Sequence, residues 1–138
     1  HFLRCFEARL NLLRHAGVEA FLRAQPIFLY PANWISEHSA ALDVELAHQL
    51  SDFPGIATME KRIAALAAFD ISDSLGKFRT PILSLAAADD MLVPASCSRT
   101  LANRIATCEF ALMEWGGHAC NVTDAATFNR LVLECLRS

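Results

Sequence analysis

The fold of this chain is decided by the stretch Pro81-Ile82-Leu83-Ser84-Leu85-Ala86-Ala87-Ala88-Asp89-Asp90. A short, nearly continuous apolar run that a proline introduces is typical of a strand covered on both faces of a parallel sheet. Cys108 to Met113 predicts a second strand, and Pro94 opens a helix between the two. The two strands and the helix between them therefore predict a parallel β-α-β unit with a right-handed crossover.

A last helix completes this unit. Thr123 is its expected N-cap, and apolar residues recur at the i, i+3, i+4 and i+7 positions that form one helical face, namely Phe128, Leu131, Val132 and Cys135. Residues 81 to 137 thus predict the order β-α-β-α, an α/β architecture.

The first seventy residues carry helical patterns and no strand pattern. The first helix is expected to end at Gly17, the second at Pro26 and the third before Pro54, and the fourth to begin near Thr58. The aromatic segment 27–34 is expected to be irregular because prolines flank and interrupt it. We therefore divide the chain into a helical lid, residues 1–70, and strand–helix units of a larger core, residues 71–138.

Composition excludes several classes of protein. Of the 138 residues, 54% are hydrophobic, and 12 Lys and Arg against 15 Asp and Glu give a net charge of −3. Such a chain is too apolar to be disordered, and it lacks the basic surplus that nucleic acids and anionic lipids require. Its longest apolar run, residues 63–69, is far shorter than the roughly 20 residues of a membrane span. We expect no nucleic-acid partner, no membrane span and no secretory leader.

Cysteines and histidines argue against disulfides and metals. The five cysteines are odd in number and none forms a C-x-x-C pair, which indicates free thiols and a reduced, cytoplasmic setting. Three of the histidines lack the spacing of metal ligands, so we expect no metal: His15, His38 and His48.

An acid–base pair follows the two predicted strands. Asp90 comes after the first strand, and His118 comes after the second in the sequence Gly116-Gly117-His118. Because adjacent parallel strands lie about 4.8 Å apart and end at the same edge, their loops can bring a carboxylate to an imidazole. Such a pair forms two-thirds of a nucleophilic triad, in which the acid orients the histidine that serves as base and then as acid.

Each residue alone has a simpler interpretation. An aspartate after a strand is more often a turn or helix cap, and a loop histidine is more often a surface group. The Asp-x-x-Val-Pro context, with Gly-Gly-His following so that the base comes 28 positions after the acid, favours catalysis. Asp89 is the rival acid, and Asp90 is preferred for its spacing to Pro94.

These motifs resemble the C-terminal half of an α/β-hydrolase, whose triad runs in the chain order Ser, Asp or Glu, His. More narrowly, the strings AQPIFLYPANW at 24–34 and GGHACNVTD at 116–124, with DDMLVP at 89–94, resemble the RutD family of α/β-hydrolases. The resemblance covers essentially the whole chain. It implies hydrolysis of 3-aminoacrylate or carbamate in uracil and pyrimidine degradation, with His118 as general base and acid, Asp90 as the orienting carboxylate, and no cofactor.

The chain departs from that family in one respect. None of its five glycines brackets a serine in a G-x-S-x-G elbow, and no oxyanion-hole segment of the H-G-G-G type is present. Cys97 and Cys120 are poor substitutes, since neither lies on an elbow turn. We therefore predict that the nucleophile belongs to an N-terminal half of the core that this chain lacks, and that the chain alone is inactive.

Four aromatic residues are candidates for contact with substrate, although aromatic side chains more often simply pack: Phe28, Tyr30, Trp34 and Trp115. The predicted partners are a small-molecule substrate and water, and the sequence leaves the oligomeric state open. Two alternatives stay open beside the family's reaction. One is a related esterase, lactonase or C–C hydrolase, and the other is a non-catalytic binding module that has kept the hydrolase fold.

Overall fold

A computed structural model describes residues 1–137 of the chain, which form two compact units. The first, which we call the helical unit, comprises residues 1–28 and 32–70. The second, the sheet unit, comprises Leu29–Pro31 and the chain from Ile71 onward. Within residues 1–137, none of the helices has the length and apolar character that crossing a membrane requires.

The helical unit is built around one small apolar core. Its helices are α1 (Phe2–Asn11), α2 (Gly17–Leu29), α3 (Ala32–Glu37), α4 (Ser39–Ser51) and α5 (Ile56–Ala68), with a π-helical turn, Leu12–Ala16, between α1 and α2. Leu13, Phe21 and Leu22 are buried at the centre of this core. Partly buried side chains from four of these segments and from the loop between α4 and α5 pack against them: Leu12, Val18, Leu46, Phe53 and Met59.

Two sequence expectations in this unit are wrong. Pro26 does not end its helix, because α2 continues through it to Leu29, and the aromatic segment is helical on both sides of Pro31. A proline inside a helix removes one backbone hydrogen bond and disfavours the turn before it. Here the last turn of α2 is held by a tertiary contact, since the ring of Phe28 lies against the guanidinium of Arg9 at 5.6 Å. Arg9 and Phe28 are far apart in sequence, so no local sequence pattern indicates this contact.

The sheet unit confirms the predicted β-α-β-α order. A 3₁₀ turn, Ser72–Lys77, leads into β1 (Ile82–Ala87), α6 (Ala95–Arg104), β2 (Cys108–Met113), the short α7 (Cys120–Thr123) and α8 (Ala125–Arg137). The two strands pair in parallel, with Ile82 opposite Cys108 and Ala87 opposite Met113. Both predicted strands therefore have the expected bounds, and their carboxyl ends lie at the same edge.

One buried cluster fixes the end of this sheet. Ala87, Met113 and Cys120 are buried there, and Phe128 and Leu131 of α8 pack against them. The expected N-cap of the last helix is wrong: the side chain of Asp124 accepts a hydrogen bond from the backbone N–H of Thr127 at 3.2 Å. The hydroxyl of Thr123 instead donates to the carbonyl of Gly116 at 2.6 Å, so it ties α7 to the loop that follows β2.

Candidate active site

The candidate site lies just beyond the carboxyl ends of β1 and β2. The backbone N–H of Ala88 still donates to the carbonyl of Met113, at 2.9 Å, one residue past the end of β1. The two strands separate after this bond. The first leads into Asp89–Asp90, and the second leads into the Gly116-Gly117-His118 loop. This edge is where open α/β sheets hold their ligands.

Asp90 and His118 meet at this edge. Nδ1 of His118 lies 3.0 Å from Oδ2 of Asp90, and the carboxylate is largely shielded, with 9% of its side chain exposed against 39% for the imidazole. The other carboxylate oxygen accepts hydrogen bonds from the backbone N–H groups of Leu92 and Val93, both at 2.8 Å. These two hydrogen bonds hold the Asp90 carboxylate in place independently of its contact with His118. A proton held on Nδ1 by this carboxylate leaves the lone pair of the ring on Nε2.

Asp89 has a different contact. Its side chain accepts a hydrogen bond from the backbone N–H of Gly117 at 2.9 Å. The two neighbouring aspartates thus hold two neighbouring residues of the opposite loop, Asp89 the backbone of Gly117 and Asp90 the side chain of His118. The geometry agrees with the preference for Asp90 over Asp89: Asp90 faces the imidazole, and Asp89 fixes the turn that presents it.

The two glycines of this loop are required by its shape. Gly116 and Gly117 have φ values of +133° and +66°, in the region that side chains disfavour. A Cβ at Gly117 would lie 2.7 Å from the carbonyl oxygen of Leu29, and a Cβ at Gly116 would lie 2.7 Å from Cβ of Cys120. The close turn therefore depends on the absence of both side chains.

We expect Gly117→Ala to destabilise the chain by about 1–3 kcal/mol, the usual cost of strained backbone, because the methyl group has a disfavoured φ and meets a backbone atom. Urea unfolding followed by circular dichroism measures this change. Gly76→Ala is the matched control, since a Cβ at Gly76 has open space around it and should change stability by no more than about 0.5 kcal/mol. Equal stability of the two variants would contradict this account of the turn.

The segment Leu29–Pro31 closes over this loop. The backbone N–H of Ala119, next to His118, donates to the carbonyl of Leu29 at 3.0 Å. Tyr30 lies in this segment, so the structure places this aromatic candidate within the sheet unit. The residue before it in sequence, Leu29, is the one that is hydrogen-bonded to the histidine loop. Trp115, at the start of the loop, is 45% exposed.

The other two aromatic candidates lie in the helical unit. Phe28 packs against the guanidinium of Arg9. Trp34 stacks on the ring of His38, with centroids 4.0 Å apart and planes within 8°. Both side chains thus have packing contacts within their own unit.

The thiols are not arranged as nucleophiles. Burial raises the pKa of the Cys120 thiol, and the nearby carboxylates of Asp90 and Asp89 act in the same direction, which keeps the sulfur protonated. Cys97 is exposed and lies in α6. Among residues 1–137, no cluster of His, Cys, Asp and Glu could hold a metal ion.

Sequence reasoning missed the role of Asp89 and the buried Arg9 of the helical unit. A sequence signal for Asp89 was present. Gly117 follows Asp89 by 28 positions and His118 follows Asp90 by 28 positions, so consecutive residues of one loop pair with consecutive residues of the other. For Arg9 no local signal exists, because an arginine on a helix is ordinarily exposed.

Comparison with known proteins gives close relatives by sequence. The chain is 47% identical over 136 residues to the RutD protein of Caulobacter sp. (strain K31), covering 99% of this chain and 51% of that protein. It is 48% identical over 130 residues to RutD of Serratia proteamaculans (strain 568), covering 94% and 49%. Both proteins are named as carbamate hydrolases, and in both cases the name marks that activity as provisional. No protein-family profile matches the chain.

Solved structures show the same architecture. The enol-lactonase from Burkholderia xenovorans LB400 superposes with a TM-score of 0.83 at 18% identity, covering 98% of this chain and 51% of that protein. A hydrolase from Pseudomonas aeruginosa PA01 superposes with a TM-score of 0.81 at 18% identity, covering 98% and 50%.

The chain therefore has part of the α/β-hydrolase fold. In sequence it resembles the C-terminal half of a RutD-like α/β-hydrolase. It spans about half the length of the curated relatives that it matches.

Proposed function

We propose that this chain supplies the acid and the base of a Ser-His-Asp hydrolase that acts on a small anionic substrate, carbamate or 3-aminoacrylate, in pyrimidine degradation. The observation that carries the proposal is the Asp90–His118 pair, with the carboxylate fixed by two backbone N–H groups and the imidazole joined to it at 3.0 Å. The resemblance to RutD supports the substrate class.

In the proposed reaction, Nε2 of His118 takes a proton from a serine hydroxyl or from water, and Asp90 stabilises the imidazolium that forms. The imidazolium then returns the proton to the leaving nitrogen. With carbamate, water cleaves the C–N bond and the products are ammonia and bicarbonate. With 3-aminoacrylate, water adds to the carbon bearing the amine, and ammonia and 3-oxopropanoate result.

The serine in this proposal comes from an N-terminal half of the core, on which family members carry the nucleophile elbow. The helical unit acts as the lid, to which Phe28 and Trp34 belong. Tyr30 and Trp115, in the sheet unit, are the other aromatic candidates for contact with substrate. We place the activity in the cytoplasm, because the described cysteines are all free thiols.

The test is to join the N-terminal half of the Caulobacter sp. RutD protein to this chain. We expect the fusion to release ammonia from carbamate or 3-aminoacrylate faster than spontaneous breakdown, and the chain alone to stay at the spontaneous rate. The fusion supplies the serine and oxyanion hole that this sequence lacks, and enzymatic detection of ammonia follows the reaction.

Three results would contradict the proposal. Turnover by the chain alone, lost in His118→Ala, would show that no further half is needed. A fusion that cleaves p-nitrophenyl acetate but releases no ammonia from either anion would support the esterase or lactonase alternative. A folded fusion without any hydrolase activity would favour the non-catalytic module.

A further inference from the structure

Arg9 is a buried cation in the helical unit. Only 8% of its surface is exposed, although its guanidinium carries a charge that normally faces water. Three aromatic rings surround the guanidinium: its central carbon lies 5.3 Å from the ring centres of Phe6 and Phe21 and 5.6 Å from that of Phe28. Burial lowers the pKa of Arg9, which means that the protein does not compensate its charge in full.

The hydrogen-bond donors of Arg9 are incompletely used. One terminal nitrogen, Nη2, donates to the side-chain oxygen of Gln25. The Nε–H group is buried and has no acceptor among the residues that the structure describes. Within residues 1–137, no carboxylate forms an ion pair with this guanidinium, whereas Arg14, Arg23 and Arg130 each have at least one.

The aromatic rings cannot take the place of an anion. Ring faces attract a cation that lies over them, but the N–H groups of a guanidinium point outward in its own plane and require acceptors there. A carboxylate presents two oxygens with the spacing of the guanidinium fork, and the bond is stronger because both groups are charged. A neutral amide such as Gln25 offers one oxygen without the charge.

We infer that Arg9 binds the carboxylate of a small anionic ligand, whose apolar or unsaturated body lies in a neighbouring cavity against Phe21. A cavity of about 310 Å³ lies in the same unit. Phe21 and Gln25, which both contact the guanidinium, line this cavity. The ligand carboxylate would take over the position of the Gln25 oxygen and satisfy the buried Nε–H group.

The ligand class agrees with the proposed function, since carbamate and 3-aminoacrylate are small carboxylates. Identifying the ligand with the substrate rests on that proposal. Carboxylate recognition by Arg9 does not, because all of its contacts lie within the helical unit. The binding test below therefore uses the chain itself, in which the absence of a serine elbow allows binding to be measured without turnover.

The experiment is isothermal titration of the 138-residue chain with acrylate and with acrylamide, its neutral counterpart of nearly equal size. We expect acrylate to bind at least about tenfold more tightly than acrylamide, because only the anion forms charged hydrogen bonds to Arg9. Arg9→Gln should weaken acrylate binding by about 10- to 100-fold and remove the preference. Arg9→Lys, which keeps the charge but not the fork, should weaken it less.

Arg23→Gln is the matched control. Arg23 is exposed in the adjacent part of the chain and pairs with Glu19, so its loss should leave acrylate binding unchanged. Equal affinity of the unmodified chain for acrylate and acrylamide would overturn the inference, and so would acrylate binding that survives Arg9→Gln. If Arg9→Gln does not fold, acrylate affinity is compared between the unmodified chain and Arg9→Lys. The difference in affinity between acrylate and acrylamide is measured on the unmodified chain and needs no variant.

Failure of this inference and failure of the proposed function give different results. Ammonia release by the fusion without acrylate preference in the chain would retain the hydrolase and remove the Arg9 site. Acrylate preference lost on Arg9→Gln, with a fusion that hydrolyses nothing, would retain the anion site and remove the catalytic role of the Asp90–His118 pair.

Discussion

Replacing His118 by alanine in the fusion with the N-terminal half of a RutD protein should lower kcat by about 10⁴- to 10⁶-fold, the loss that removal of a triad member produces. The reason is geometric: the imidazole is the group that Asp90 orients at 3.0 Å, and its remaining nitrogen is free to move protons. Ammonia release with saturating substrate measures the change.

His15→Ala is the control for this variant. His15 lies in the π-helical turn of the helical unit and is exposed, so its removal should change kcat by less than about twofold, as for an ordinary surface substitution. Circular dichroism of both variants distinguishes a lost base from a lost fold. A His118→Ala fusion that keeps a tenth or more of the activity while His15→Ala is unaffected would rule out His118 as the base.

The second large effect concerns the orienting acid. Asp90→Asn in the fusion should lower kcat by about 10⁴-fold, the magnitude found when an amide forces the wrong histidine tautomer. The asparagine oxygen can still accept from the N–H groups of Leu92 and Val93, so the loop is preserved. Its NH₂ group then faces Nδ1 of His118 and donates to it. This arrangement places the ring proton on Nε2, the atom that has to act as base.

Asp89→Asn removes the same charge one residue earlier and provides a matched comparison. The oxygen of the new amide can still accept from the N–H of Gly117, so we expect a loss of no more than about tenfold, since one hydrogen bond to a charged acceptor is weakened. Similar losses in both variants would mean that charge at this edge matters and orientation of His118 does not.

The strands and the acid–base pair could be predicted because they depend on short-range patterns. An apolar run between polar loops identifies a buried strand, and a parallel pairing brings the carboxyl ends of both strands to one edge whatever the loops contain. The close turn likewise follows from Gly116 and Gly117, since glycine is the residue that adopts positive φ without strain. The same reasoning overestimated Pro26: α2 continues through it to Leu29, and the last turn of the helix makes a tertiary contact, the ring of Phe28 on Arg9, that local preference does not include.

The sequence by itself determined the parallel β-α-β-α unit and the pairing of an aspartate with His118, because both follow from residue types and spacing along the chain. Only the tertiary structure decided that Asp90 faces the imidazole while Asp89 holds Gly117, and that Arg9 is buried without an anionic partner among residues 1–137. The physical reason is that a hydrogen bond depends on the position and direction of both groups within a few tenths of an ångström. Those positions are set by packing between segments that are far apart in sequence.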